Sequence, residues 1–73
     1  MEDKLLEIIN LILENKNISK IMSLDYSQDL RNDLGLDSFD LAELTVRIED
    51  EFGVDVFENG LINKIGQITD QLK

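Results

Sequence analysis

The hydrophobic residues at the start of the chain repeat with the period of an α-helix. Four aliphatic residues occupy the i, i+3, i+4 and i+7 positions of one helical face: Leu5, Ile8, Ile9 and Ile12. This spacing predicts a first amphipathic helix from about Glu2 to Glu14. The polar run from Asn15 to Asn17 is expected to end it.

The pattern loosens in the next stretch of the chain. Between Ile18 and Leu36, apolar residues are separated by polar and turn-forming ones without a sustained period. Segments this long without secondary structure are uncommon in small domains unless their own side chains order them or they carry a function. We therefore predict an ordered connector over Ile18 to Leu36.

The clearest periodicity follows this connector. Apolar residues recur at steps of three and four at Leu41, Leu44, Ile48 and Phe52. Gly53 comes next, and glycine is the residue at which helices often end. The pattern predicts a second helix from Ser38 to Phe52, with these four residues facing the core.

The remainder of the chain predicts shorter elements. The weak alternation from Val54 to Phe57 could indicate a short strand, but a lone strand in so small a chain has nothing to pair with, so we expect a packed loop. Helical spacing then predicts a short helical turn near Glu58 to Ile62 and a last helix ending at about Leu72. The pattern as a whole predicts an all-α fold.

The length of 73 residues limits the chain to one domain, which we place at residues 1–73. A fraction of 42% hydrophobic and 32% charged residues is typical of a soluble globular protein. The apolar run from Leu5 to Leu13 is interrupted by Glu7 and Asn10, so neither a signal peptide nor membrane insertion is expected. These features predict a cytoplasmic protein.

Charge and missing residue types exclude several functions. With 16 acidic and 7 basic residues, the net charge of -9 disfavours nucleic acid and anionic membranes and favours basic protein partners. The chain has no Cys and no His, so it lacks a thiol nucleophile, a Cys-based metal site and a base for neutral pH.

Asp25, Ser27 and Asp29 have the spacing that opens a calcium loop, but Leu30 and Leu36 occupy positions that require Gly and Glu. No metal site is predicted.

The second helix carries another apolar stripe, away from the predicted core face. It consists of Phe39, Ala42 and Val46, and three acidic residues project beside it: Glu43, Glu49 and Asp50. Exposed apolar residues are common on small domains and need no function. An apolar centre with an acidic rim is also the composition of a surface that docks basic partners, and we favour this interpretation.

Ser38 stands where the second helix begins. Asp37 is a suitable N-cap, and Asp40 lies where a capping box places its acid, so Ser38 could simply be the first helical residue. As a nucleophile Ser38 lacks a base, because the chain has no His and no Lys nearby in sequence. A phosphate ester would be favoured on its hydroxyl by the free N–H groups and the dipole of the helix.

Three segments together resemble the acyl carrier proteins. They are Asp33-Leu34-Gly35-Leu36-Asp37-Ser38, Leu41-Ala42-Glu43-Leu44 and Glu49-Asp50-Glu51-Phe52-Gly53-Val54. The resemblance implies a small four-helix bundle with a short third helix. It also implies a covalent 4'-phosphopantetheine on Ser38, attached by a phosphopantetheinyl transferase that recognises Asp37.

The same resemblance implies a function for the acidic stripe. Partners would bind through Phe39, Asp40, Ala42, Glu43, Val46, Glu49 and Asp50. These partners would be the transferase and acyl synthases, acyltransferases or ligases with basic docking surfaces. We expect a free-standing, monomeric, non-catalytic carrier of thioester-bound acyl groups, in fatty-acid synthesis or in a specialised polyketide, lipid or aminoacyl pathway. The alternative is an unmodified acidic helical adaptor that binds basic proteins.

Overall fold

Three α-helices form the regular structure of the protein in a computed structural model that describes residues 2–58, 60 and 62–72. The helices are α1 (Glu2–Asn15), α2 (Ser38–Phe52) and α3 (Ile65–Leu72). Extended pairing in this part of the chain is limited to one isolated antiparallel bridge between Asp29 and Lys64. The predicted all-α class is therefore confirmed. None of these helices is long and apolar enough to cross a membrane.

Helix α1 ends one residue later than the hydrophobic pattern predicts. The backbone of Asn17 adopts the left-handed conformation, with φ 61°. This turn lets the Ile18 amide donate a 2.9 Å hydrogen bond back to the Leu13 carbonyl, which closes the helix end. Asn tolerates positive φ better than most residues, so this residue of the polar run allows the turn that ends the helix.

Helix α2 has the bounds predicted from the sequence. Its last turn is closed by Gly53, where φ is 71° and the amide donates a 2.8 Å hydrogen bond to the Glu49 carbonyl. A side chain would be strained in this conformation, which explains why glycine follows Phe52.

The segment after α2 is a loop, as predicted for Val54 to Phe57. The helical turn predicted near Glu58 to Ile62 includes Asn59 and Leu61, which lie outside the described residues. The described residues therefore contain three helices, and the fourth, short helix of the expected bundle stays a prediction. Helix α3 ends at Leu72, as expected.

The core is aliphatic and draws on all three helices. Helix α1 contributes four buried residues, and Leu41, Leu44 and Ile48 are the buried residues of α2. Phe52, predicted on the same face, is half-buried and packs against the edge of this core. The other buried hydrophobic residues come from α3 and the connecting segments: Leu30, Leu34, Leu36, Val56, Ile62, Ile65 and Ile68.

The connector between α1 and α2 is held in place by polar contacts. The Asn10 side chain accepts a 2.9 Å hydrogen bond from the Ile21 amide and donates one of 3.0 Å to its carbonyl. Further along, the Gly66 amide donates a 2.9 Å hydrogen bond to the Tyr26 carbonyl, at the start of α3. The connector is thereby fastened to both α1 and α3, in agreement with the predicted ordered segment.

Candidate functional site

The N-terminus of α2 is closed by a reciprocal capping box. The Asp40 amide donates a 3.0 Å hydrogen bond to Asp37 Oδ1, and the Asp37 amide donates one of 2.9 Å to Asp40 Oδ2. The hydrogen bond from the Asp40 amide is the main reason that the pKa of Asp37 lies below its usual value. Both carboxylates are therefore used to begin the helix, as the sequence predicts.

The lysine that follows α1 joins this capping box. The Lys16 ammonium contacts the Asp40 carboxylate and lies 3.7 Å from the Asp37 carboxylate. The hydrogen bond to Asp40 is the main cause that raises the pKa of Lys16. This cation offsets the repulsion of two neighbouring carboxylates, and it fastens the beginning of α2 to the end of α1.

The Ser38 hydroxyl projects from the first residue of α2 and is exposed. Arg31 Nη2 donates a 3.0 Å hydrogen bond to Ser38 Oγ. A guanidinium stays protonated in proteins and has no acceptor, so this contact cannot remove the serine proton. Arg31 therefore does not act as a base for Ser38.

The turn before α2 explains how Arg31 reaches this position. Asp29 Oδ1 accepts hydrogen bonds from the amides of Arg31 (2.8 Å) and Asn32 (2.9 Å), which starts a compact turn. The chain then reverses at Gly35, where φ is 80°, a conformation that favours glycine. Together these features bring the Arg31 side chain, seven positions earlier, against Ser38.

The structure thus adds two residues to the site that the sequence does not predict. Arg31 lies in a connector without a regular period, where no helical or strand rule predicts its neighbours. Lys16 is 24 positions from Asp40, beyond the range of any local pattern. The one available signal is composition, because the chain has only 7 basic residues against 16 acidic ones.

The second apolar stripe of α2 is on the surface, as expected. The side chain of Phe39 is 86% exposed and that of Val46 is 64% exposed, values far from those of core residues. Ala42 is also exposed. We call this surface, together with its acidic rim of Glu43, Glu49 and Asp50, the docking surface.

The acids of the docking surface differ in their exposure and in the contacts that they already make. Glu49 and Asp50 are exposed. Glu43 is half-buried and accepts a 2.8 Å hydrogen bond from Arg47 Nε one turn later. Asp40, also predicted to contact partners, has its carboxylate engaged in the capping box and with Lys16.

Asp25 and Asp29, the acids with the spacing of a calcium loop, accept hydrogen bonds from neighbouring residues. Asp25 Oδ1 accepts hydrogen bonds from the Ser27 hydroxyl (2.7 Å) and the Ser27 amide (3.0 Å). The hydroxyl contact is the main reason that the pKa of Asp25 is lowered. Within residues 2–58, 60 and 62–72, no group of three or more acidic side chains is arranged to hold a metal ion.

Comparison with known proteins places the chain in a family. The family model described as the phosphopantetheine attachment site matches residues 3–70, so the chain belongs to this family. An acyl carrier protein of Syntrophus aciditrophicus (strain SB) is 50% identical over 44 residues, which cover 58% of this chain and 55% of that protein. The match thus spans just over half of that relative. No solved structure matches the chain significantly.

Family membership assigns 4'-phosphopantetheine as the cofactor of this chain. The surroundings of Ser38 fit its phosphodiester, since an exposed hydroxyl stands at the start of a 15-residue helix with a guanidinium 3.0 Å away. A cation and a helix N-terminus both favour a bound negative charge. Both matches support a carrier function, and neither favours the unmodified adaptor.

Proposed function

We propose that the chain is an acyl carrier whose prosthetic arm is attached to Ser38. The observation that carries this proposal is the exposed Ser38 hydroxyl at the first position of α2, inside a chain of the phosphopantetheine attachment family. The arm would supply the thiol that the chain itself lacks, since it has no Cys. Acyl groups would be held on this thiol as thioesters.

The attachment needs an outside transferase and coenzyme A. Ser38 Oγ would form the new bond to phosphorus while the pyrophosphate bond of coenzyme A breaks and adenosine 3',5'-bisphosphate leaves. The serine proton would pass to a base of the transferase, because Arg31 cannot accept it. Asp37 would contribute to recognition by the transferase, and its capping role would keep Ser38 in place at the helix start.

The docking surface would bring the carrier to its enzymes. Its centre offers the exposed side chains of Phe39 and Val46, and its rim offers the carboxylates of Glu49 and Asp50. An apolar centre provides contact area, and acidic groups at the rim speed association with basic surfaces. The partners are proposed to be the transferase and synthases, acyltransferases or ligases with basic docking surfaces.

Several wider features belong to the same proposal. Residues 1–73 would form one carrier domain with the four-helix bundle of the acyl carrier proteins, including a short third helix. The domain would act as a monomer and as a substrate of enzymes rather than as a catalyst. The cytoplasmic location is also a prediction, and the pathway is either fatty-acid synthesis or a specialised polyketide, lipid or aminoacyl route.

Intact-mass analysis after modification tests the attachment site. The purified chain is incubated with coenzyme A, Mg²⁺ and a broad-specificity phosphopantetheinyl transferase. We expect one phosphopantetheinyl mass and one thiol that reacts with a disulfide reagent. Ser38→Ala should gain neither, whereas Ser23→Ala, which changes another exposed serine, should be modified like the wild type.

Two results would contradict the proposal. If the wild type stays unmodified by a transferase that modifies a known carrier, the carrier function fails. If Ser38→Ala is still modified, the function survives and the assignment of the site fails. Circular dichroism of Ser38→Ala checks that the variant is folded, which is expected because the Asp37 cap is intact.

A further inference from the structure

Arg31 is one of two basic residues in the described part of the chain, with Lys64, that form no ion pair with a carboxylate. The ion pairs of the described residues bring together carboxylates and four other basic side chains, those of Lys4, Lys16, Lys20 and Arg47. Within the same part of the structure, no carboxylate forms an ion pair with Arg31. Its guanidinium contacts the neutral Ser38 hydroxyl instead. The positive charge beside Ser38 therefore forms no direct ion pair, although it is close enough to the Asp29 carboxylate to help lower the pKa of that group.

The side chain of Arg31 is also not needed to build the turn that carries it. The turn is made by backbone groups: the Arg31 amide donates to Asp29 Oδ1, and the Arg31 carbonyl accepts a 3.0 Å hydrogen bond from the Gly35 amide. The contact of the guanidinium with an exposed hydroxyl adds little stability, because both groups are accessible to water. The turn therefore does not depend on the side chain of Arg31.

A phosphodiester on Ser38 would strengthen the interaction of Arg31 with this position. A guanidinium has five N–H donors in a planar fork, which suits the oxygens of a phosphate. Arg31 Nη2 already lies 3.0 Å from the Ser38 oxygen to which the phosphorus would be bonded. Replacing a neutral hydroxyl by an anion there adds a charge–charge attraction to the hydrogen bonding of Arg31, whose acceptors would then be the non-bridging phosphate oxygens.

We propose that Arg31 is a positioning residue whose guanidinium pairs with the phosphodiester on Ser38 and holds the base of the prosthetic arm against the turn before α2. The inference rests on the proposed attachment at Ser38. Because the contact is exposed, we expect it to be weak. It should favour the arm with its phosphodiester in contact with Arg31 over the arm without this contact by a factor of roughly two to five. It is also screened by salt.

Phosphorus NMR of the holo-protein tests this pairing without any measurement of activity. Four holo-proteins are compared: wild type, Arg31→Gln, Arg31→Lys and Arg47→Gln. Arg47→Gln removes the same charge from an arginine that pairs with Glu43 on α2. We expect the phosphodiester signal to be displaced and narrowed in Arg31→Gln, partly restored in Arg31→Lys and unchanged in Arg47→Gln.

A salt titration tests whether the contact is electrostatic. If Arg31 had only a structural role, the salt dependence of the phosphorus signal would be the same in the wild type and in Arg31→Gln. Between about 0.01 M and about 1 M salt the screening length falls from roughly 30 Å to roughly 3 Å. The wild-type phosphorus signal should move toward that of Arg31→Gln over this range, and the signal of Arg31→Gln should stay nearly constant. The transferase step is kept outside the comparison by using fully modified protein, checked by mass.

Each outcome decides between the two proposals. If the wild type gains no arm on Ser38, the proposed function fails and the inference about Arg31 fails with it. If the arm is attached but Arg31→Gln and the wild type give the same phosphorus signal and salt response, only the inference is overturned. An equal displacement in Arg31→Gln and Arg47→Gln would also overturn it, because net charge alone would then explain the effect.

Discussion

The Lys16 ammonium donates a 3.2 Å hydrogen bond to the Gly35 carbonyl, so the end of α1 is tied to the turn that precedes α2. The same ammonium contacts the carboxylates of Asp37 and Asp40. Its side chain is only 27% exposed, which makes this the most protected cation among the ion pairs of the described residues. The residue that precedes Ser38 is thus held by a contact between distant parts of the chain.

Replacing Lys16 should therefore weaken the fold more than replacing an ordinary surface lysine. Lys16→Met leaves the carboxylates of Asp37 and Asp40 without their counter-charge, and we expect a lower melting temperature. Lys20→Met is the matched control, because Lys20 forms one exposed ion pair, at 3.1 Å from Glu14, and has the same charge. Thermal unfolding followed by circular dichroism at low salt measures the melting temperatures of both variants. Equal melting temperatures for the two variants would contradict the prediction.

The lowered pKa of Asp37 predicts a loss of stability in acid. The hydrogen bond from the Asp40 amide holds the folded-state pKa below the ordinary value of 3.8, so the unfolded chain binds the proton more readily. The stabilisation is present above pH 3.8 and is lost as pH falls through the lower, folded-state value. Asp37→Asn keeps a capping acceptor but has no such titration. Its unfolding free energy should depend less steeply on pH below about 4 than that of the wild type.

The two faces of α2 should respond differently to substitution. Leu44 is fully buried, so Leu44→Ala should lower the free energy of unfolding by about 2–5 kcal/mol, enough to threaten so small a domain. Val46 is 64% exposed, and Val46→Glu should leave the unfolding free energy nearly unchanged while it weakens acyl transfer by partner enzymes. Urea unfolding and transfer assays measure the two effects. Comparable destabilisation by both substitutions would show that the faces are wrongly assigned.

Gly66 is predicted to resist substitution although it lies inside a helix. A Cβ at this position would be 2.9 Å from the Tyr26 carbonyl oxygen and 3.1 Å from Tyr26 Cβ. Alanine gains about 1 kcal/mol over glycine in helix propensity, but the close approach to the backbone of Tyr26 costs about 1–3 kcal/mol. We expect Gly66→Ala to unfold at lower urea concentration than the wild type. A more stable variant would mean that the connector can move away from α3.

The sequence by itself determines the features of the protein that are local. The bounds of α2, its capping box and its two faces depend on residues within a few positions of one another. The Asp37-Ser38 pair and the acidic helix after it are also contiguous, so the resemblance to the acyl carrier proteins follows from the order of the residues alone. Helix α1 is equally predictable, because its stripe repeats every three or four residues, and only its last residue differs from the prediction.

Tertiary structure alone decided which side chains meet from separate parts of the chain. Arg31 reaches Ser38 because backbone hydrogen bonds to Asp29 and a reversal at Gly35 shape an aperiodic turn. Gly66 is required by the approach of the connector to α3, and no helical rule predicts that contact. Periodicity constrains neighbours along one element, whereas these contacts depend on how loops fold back across the core, where turn geometry and packing act together.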